Sequence, residues 1–314
     1  SRGDAARLEQ TGFSAYLTRP VKQCRLHECL GTLNSRDVAR EGPEQQKILT
    51  RHTLEENRRR RLRILLVEDD VVNRKVARTL LERLGLRPDT AANGSQALAA
   101  VEAQHYELIL MDCVMPVMDG FEATRRIREK TDLPQMPIIA MTAHTGREIQ
   151  EKCRASGMND CVSKPLTAVQ LTGLIDQWTR MRGSAEIMEL PQIPVPPQAV
   201  FDKAGLIHRL MGDEGFAREL TVEFLRDLPR RRAFLASAAA DRDAEAVRLE
   251  AHSLKGSARS LSAPALQEIA SRIETAAADG KTEAVQRMLR DLDTQIQHFK
   301  NALILSKLIS LDDC

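Results

Sequence analysis

The sequence predicts two folds in series: an α/β doubly wound domain with a parallel five-stranded sheet over residues 62–182, and an all-α helical bundle over residues 200–305. Three observations predict them. Residues 62–182 alternate short apolar runs with amphipathic stretches, the pattern of parallel strands covered by helices on both faces. Beyond Val200 the composition turns Ala- and Leu-rich with few strand formers, and Gly212, Pro264 and Gly280 cut it into helix-length segments. Between the two, Pro191, Pro194, Pro196 and Pro197 mark residues 183–199 as a connector.

In chain order, residues 1–33 come first, and GFSAYLTRP at 12–20 repeats the pattern of GMNDCVSKP at 157–165. They are expected to be the end of an earlier copy of the α/β domain. Residues 34–61 are polar and charge-dense and read as a linker, the Arg58–Arg61 run being a solvated linker or helix end rather than a nucleic-acid patch. In the α/β block, strands are expected at Ile64–Val67, Leu108–Met111, Ile138–Met141 and Cys161–Ser163. Helices are expected at Val71–Leu84, Gln96–Ala103, Phe121–Glu129 and Thr167–Met181. A flavodoxin-like strand order, 2-1-3-4-5 within the block, then gathers ligand-binding residues beyond the carboxyl ends of the strands. In the bundle, Val247, Ala251, Leu254, Ala258 and Leu261 form the apolar seam of a packed helix, and residues 306–314 are a tail.

Composition narrows the function classes. The 46 basic and 44 acidic side chains nearly cancel, and aromatic residues make up 3% of the chain. Neither a global field nor a stacking platform for nucleic acid is present. The six cysteines lack metal-ligand or disulfide spacing and fit reduced, cytoplasmic thiols. With no apolar run of about 18 residues, no membrane contact is expected from this segment, and any inner-membrane anchor would belong to a longer parent.

The residues that carry chemistry fall at strand ends. Glu68 and Asp69 close the first strand and Asp112 the third, which are neighbours in the expected order. Three carboxylates at one sheet edge call for a cation, and oxygen-only ligands suit Mg²⁺ or Mn²⁺. Thr142 and Lys164 end the fourth and fifth strands and add a hydroxyl and a positive charge. The set reads as a phosphoryl-transfer site in which an Asp112 oxygen attacks phosphorus while the metal and Lys164 neutralise the equatorial oxygens.

On a helical wheel centred on the apolar seam, His252 falls about 140° away, Lys255 about 80° and Gly256 about 180°. His252 is therefore expected to face solvent, with Arg248 and Arg259 beside it. Lys255 would screen an arriving phosphoryl group. A glycine inside a helix is unfavourable by about 1 kcal/mol relative to alanine. Gly256 is expected to offset this by admitting a partner's active site close to His252.

ILLVEDD (64–70), MDCVMPVMDG (111–120), AMTAH (140–144) and VSKP (162–165) closely resemble the response-regulator receiver family. The resemblance implies that Asp112 is the phosphoacceptor and that Glu68, Asp69 and the Val114 carbonyl help bind Mg²⁺. It also implies that Lys164 reaches the phosphoryl group from a loop with a cis Lys164–Pro165 bond. Cys161 stands where many receivers carry Tyr or Phe, so phosphate transfer rather than an aromatic switch is the expected output. In the partial copy, Arg19 occupies the lysine position, which implies a degenerate receiver. AHSLKGSA (251–258) resembles the signature of histidine-containing phosphotransfer (HPt) domains, typically four-helix bundles. That likeness makes His252 the phosphoacceptor, supported by Lys255 and Gly256.

The combination resembles the carboxyl-terminal part of a hybrid sensor histidine kinase. It implies phosphate flow from a kinase histidine to Asp112, to His252 and on to a downstream response regulator. The expected partners are a kinase catalytic and dimerisation domain and that regulator. No ATP site is visible, since GKT at 280–282 lacks the preceding glycine and strand of a P-loop, so kinase activity of this chain itself stays open. Two alternatives remain: a phosphate-independent scaffold, and an Asp-nucleophile phosphatase or phosphotransferase. The latter usually needs a second Asp where this chain has Val114.

Overall fold

The computed structural model describes residues 62–130, 136–143, 146–180 and 200–310, together with residues 13, 15–16, 26, 29–30 and 49–50. The chain divides into two compact units, Ser1–Leu62 and Arg63–Cys314. In the first, β1 (Ala15–Tyr16) pairs in parallel with β2 (Leu49–Thr50). Ala15–Tyr16 is strand at positions that align with Asp160–Cys161, while most of the expected receiver copy lies outside the described residues. Leu49–Thr50 lies in a stretch read as linker, because a two-residue strand leaves no periodic signal.

The second unit begins with the α/β domain, whose elements alternate strictly. They are β3 (Arg63–Val67), α1 (Val71–Arg83), β4 (Arg87–Ala91), α2 (Gly94–Ala103), β5 (Leu108–Asp112), α3 (Gly120–Lys130), β6 (Ile138–Thr142), α4 (Arg147–Ser156), β7 (Asp160–Ser163) and α5 (Ala168–Arg180). The sheet is all parallel in the order β4-β3-β5-β6-β7, which is 2-1-3-4-5 counted within the domain. β3, β5 and β6 are unbroken apolar runs because helices cover both faces of the sheet. β4 (RPDTA) is an edge strand with only Ala91 buried, so its polar sequence gave no strand signal. α1 is capped by Asp70, whose Oδ1 accepts the Asn73 N–H at 2.8 Å.

The helical domain comprises α6 (Lys203–Arg209), α7 (Glu214–Ala240), α8 (Ala244–Ser260), α9 (Pro264–Ala278) and α10 (Thr282–Leu305). α7 to α10 close a four-helix bundle: α7 packs on α8 and α10, and α9 packs on α8 and α10. Gly212 and Gly280, at φ of 86° and 72°, and Pro264 at the start of α9 make the expected breaks. A break at 241–243 was not expected, since Asp-Arg-Asp carries neither Gly nor Pro; Arg242 takes φ 59° and Asp243 caps α8. The predicted seam of α8 is fully buried. Helix α1 of the α/β domain packs against α7 and α8, so the two domains of this unit meet through that helix. The Pro-rich connector lies outside the described residues, and no described helix is long and apolar enough to cross a membrane.

Candidate functional site

The parallel sheet delivers its carboxylates to one rim. Glu68 and Asp69 follow β3, Asp112 ends β5, and one oxygen from each lies within 4.8 Å of the others. Lys164, just past β7, places Nζ 2.6 Å from both Asp112 Oδ2 and Glu68 Oε2. Its backbone N–H donates to the Thr142 carbonyl at 2.7 Å, and the Lys164–Pro165 peptide is cis. Thr142 is buried at the end of β6, and the Val114 amide donates to Asp112 Oδ1 at 3.4 Å. Gly120 is required behind the site, because a Cβ there would overlap the Asp112 carbonyl.

The electrostatics of the rim follow from burial. Desolvation, then repulsion from Asp112, pushes Glu68 well above the usual carboxylate range, against the pull of Lys164. The same two causes raise Asp69 to about 7. Burial opposes the charge of Lys164, but Asp112 and Glu68 outweigh it and raise its pKa above that of an ordinary lysine. Among the described residues, Glu68 Oε1 is a buried side-chain oxygen with no hydrogen-bond partner. A buried orphan oxygen within a cluster of three carboxylates fits a hard divalent cation such as Mg²⁺ or Mn²⁺, which prefers oxygen ligands.

The histidine comes to this rim from the bundle. His252 and Lys255, on α8, line one cavity of about 100 Å³ with Glu68, Asp69, Asp112 and Lys164. By volume this is the room of about three water molecules. The expectation that His252 faces solvent is corrected, because its side chain is only 17% exposed. The wheel placed it off the bundle core, and the α/β domain covers that face. Its Nδ1 lies 2.6 Å from Glu274 Oε1, and Lys255 Nζ lies 2.5 Å from Glu274 Oε2. Lys255 is thus buried and paired rather than free to screen. A carboxylate only accepts, so Nδ1 carries a proton, and in the neutral ring Nε2 keeps its lone pair. Burial would raise the pKa of Glu274, but hydrogen bonds and charge from His252 and Lys255 hold it at about 2. A Cβ on Gly256 would stand 3.0 Å from Nδ2 of Asn73 on α1, the close approach expected of a glycine at that position.

Four residues make contacts that sequence reasoning did not anticipate. Glu274 on α9 meets His252 only through helix packing, and no spacing motif announces it. Asp70 was visible as a third acid after β3, but its Oδ2 accepts from Arg231 Nη2 at 2.5 Å and from Ser257 at 2.6 Å, both in the bundle. Asn73 accepts from Ser260 at 2.6 Å. Arg259, expected beside His252, lines the same cavity and also donates to the Ala143 carbonyl at 3.1 Å.

Residues 64–176 match the response regulator receiver domain family, and residues 219–302 match the Hpt domain family. The sensor histidine kinase GacS of Pseudomonas protegens is 31% identical over 221 residues, covering 68% of this chain and 24% of the relative. The aerobic respiration control sensor protein ArcB of Escherichia coli is 29% identical over 242 residues, covering 76% of this chain and 31% of the relative. The chain spans less than a third of the length of either relative. The receiver domain of a sensor histidine kinase from Pseudomonas aeruginosa PAO1, solved with magnesium in its active site cleft, is 43% identical. It covers 37% of this chain and 96% of that one, with a TM-score of 0.36.

Proposed function

Residues 64–176 are a response regulator receiver domain and residues 219–302 an Hpt domain of two-component phosphorelay signalling, and from that premise we propose the path of the phosphoryl group through this chain. It arrives at Asp112 from a kinase phosphohistidine, passes to His252 and leaves for an aspartate on a separate response regulator. The single observation that best supports this path is the cavity lined by both Asp112 and His252. The parent protein is a hybrid sensor histidine kinase whose catalytic and dimerisation domain supplies the phosphate, and this segment works in the cytoplasm.

In the first step an Asp112 oxygen attacks the incoming phosphorus; the donor N–P bond breaks and an acyl phosphate O–P bond forms. Lys164, in contact with Asp112, offers its positive charge to the phosphoryl oxygens, and Thr142 supplies a hydroxyl at the same rim. Glu68, Asp69, Asp112 and the Val114 carbonyl would hold a Mg²⁺ or Mn²⁺ ion. When bound, the ion supplies charge neutralisation to the transferring group. In the second step Nε2 of His252 attacks the phosphorus, the Asp112 O–P bond breaks, and Asp112 returns to carboxylate. The Nδ1 proton stays hydrogen-bonded to Glu274, which orients the ring and balances the positive charge that develops on it. Lys255 fixes Glu274 from its other oxygen, and Gly256 lets α1 approach.

Incubating the chain with radiolabelled acetyl phosphate and Mg²⁺ tests the assignment. We expect a base-labile acyl phosphate and an acid-labile phosphohistidine. His252→Gln should keep only the first, and Asp112→Asn should lose both. Undiminished labelling after Asp112→Asn would overturn the proposal in favour of another acceptor, and no labelling of the unmodified chain would overturn it in favour of a phosphate-independent scaffold.

A further inference from the structure

The receiver and the bundle meet through α1, and at the N-terminal end of that helix lies an ion pair withdrawn from water. The side chains of Asp70 and Arg231 are 1% and 5% exposed, with Arg231 Nη2 2.5 Å from Asp70 Oδ2. Among the described residues, the other ion pairs across the contact, Lys75 with Glu219 and Glu223 and Arg83 with Asp213, are far more exposed and individually weak.

The two members of the buried pair differ in what they keep when the domains separate. Arg231 also binds Asp227 on its own helix at 2.6 Å and Glu250 on α8 at 3.2 Å, so its charge stays compensated inside the bundle. Asp70 has no such reserve. Its Oδ1 caps α1 through the Asn73 amide, and each partner of its Oδ2, namely Arg231, Ser253 and Ser257, comes from the bundle. Docking on a bundle without Arg231 would bury the Asp70 carboxylate with two hydroxyls and no counter-charge, which is strongly unfavourable.

We infer that Asp70 confines this receiver to a bundle that presents an arginine at the position of Arg231, while the bundle also accepts receivers with an uncharged side chain at the position of Asp70. Specificity at this interface is one-sided. The receiver is dedicated to its own bundle, and the bundle is left open to a second receiver, the partner that takes the phosphate onward. The inference rests on the phosphorelay reading for its purpose, and its physical content is a docking preference that can be read without phosphate.

The test uses the full chain with Arg231→Met, Asp70→Asn and the double substitution. Asparagine retains the side-chain oxygen that caps α1. Two readouts are taken: hydrogen–deuterium exchange of α1, which reports docking, and the rate at which label passes from Asp112 to His252. Arg231→Met should expose α1 to exchange and slow transfer at least ~30-fold. Asp70→Asn should change either readout less than ~5-fold, and the double variant should return to within ~5-fold of the unmodified chain. A fall of ~30-fold in Asp70→Asn overturns the inference, even if the arginine variants do not fold. Failure of the double variant to recover, with a native circular dichroism spectrum, does the same. If α1 exchange follows the predicted pattern but label never reaches His252, the docking preference stands and the phosphorelay path fails.

Discussion

Nδ1 of His252 lies 2.6 Å from Oε1 of Glu274, and the second oxygen of that carboxylate is held by Lys255 at 2.5 Å. In the neutral ring this hydrogen bond selects the tautomer with its proton on Nδ1 and its lone pair on Nε2. A hydrogen bond to an ionised group is worth roughly 1.5–3 kcal/mol. Glu274→Ala should therefore slow phosphoryl transfer from Asp112 about 10- to 100-fold in single-turnover label transfer. Glu274→Gln, which keeps an acceptor but not the charge, should fall between the two.

The same pair predicts an acid limit. The pKa of Glu274 is depressed from 4.5 to about 2, so its stabilising contribution is complete above about 4.5 and is lost as pH falls through 2. Urea unfolding of the unmodified chain and of Glu274→Gln should show a stability gap at pH 7 that narrows only in strong acid. A gap that closes between pH 7 and 5 would contradict this.

The receiver rim predicts the opposite sign. Asp69 is raised to about 7 and Glu68 is raised as well, so without metal the folded state favours their protonated forms and loses stability as pH rises through about 7. Mg²⁺ competes with those protons. The rise in Tm on adding Mg²⁺ should therefore be larger at pH 8 than at pH 6, and chelation should reverse it. An equal rise at both pH values would speak against a carboxylate site.

Gly256 separates bundle stability from docking. Gly256→Ala should stabilise α8 by about 1 kcal/mol, because alanine is the better helix former. The added methyl would stand 3.0 Å from Asn73 Nδ2. Transfer from Asp112 to His252 should fall about tenfold, the scale of a modest overpacking penalty, while Tm rises. Shortening the neighbour with Asn73→Ala should restore transfer.

The buried strands and the acidic rim were legible because each rests on local pattern. Ile64–Val67, Leu108–Met111 and Ile138–Met141 are continuous apolar runs, and the site residues sit where those runs stop. β4 was not legible, since an edge strand reading RPDTA buries one residue and owes its place to pairing with β3. The wheel correctly set His252 apart from the buried seam of α8, but periodicity within one helix holds no record of a second domain covering its other face. Glu274 and Arg231 escaped notice for the same reason, since their partners lie on other helices and in another domain.

Transfer within one molecule is the central claim, and it is tested by comparing the intact chain with an equimolar mixture of Asp112→Asn and His252→Gln chains. Label should pass from aspartate to histidine in the intact chain at a rate that does not change on dilution, and far more slowly in the mixture. Equal rates in the two samples, or a rate in the intact chain that falls in proportion to concentration, would contradict it.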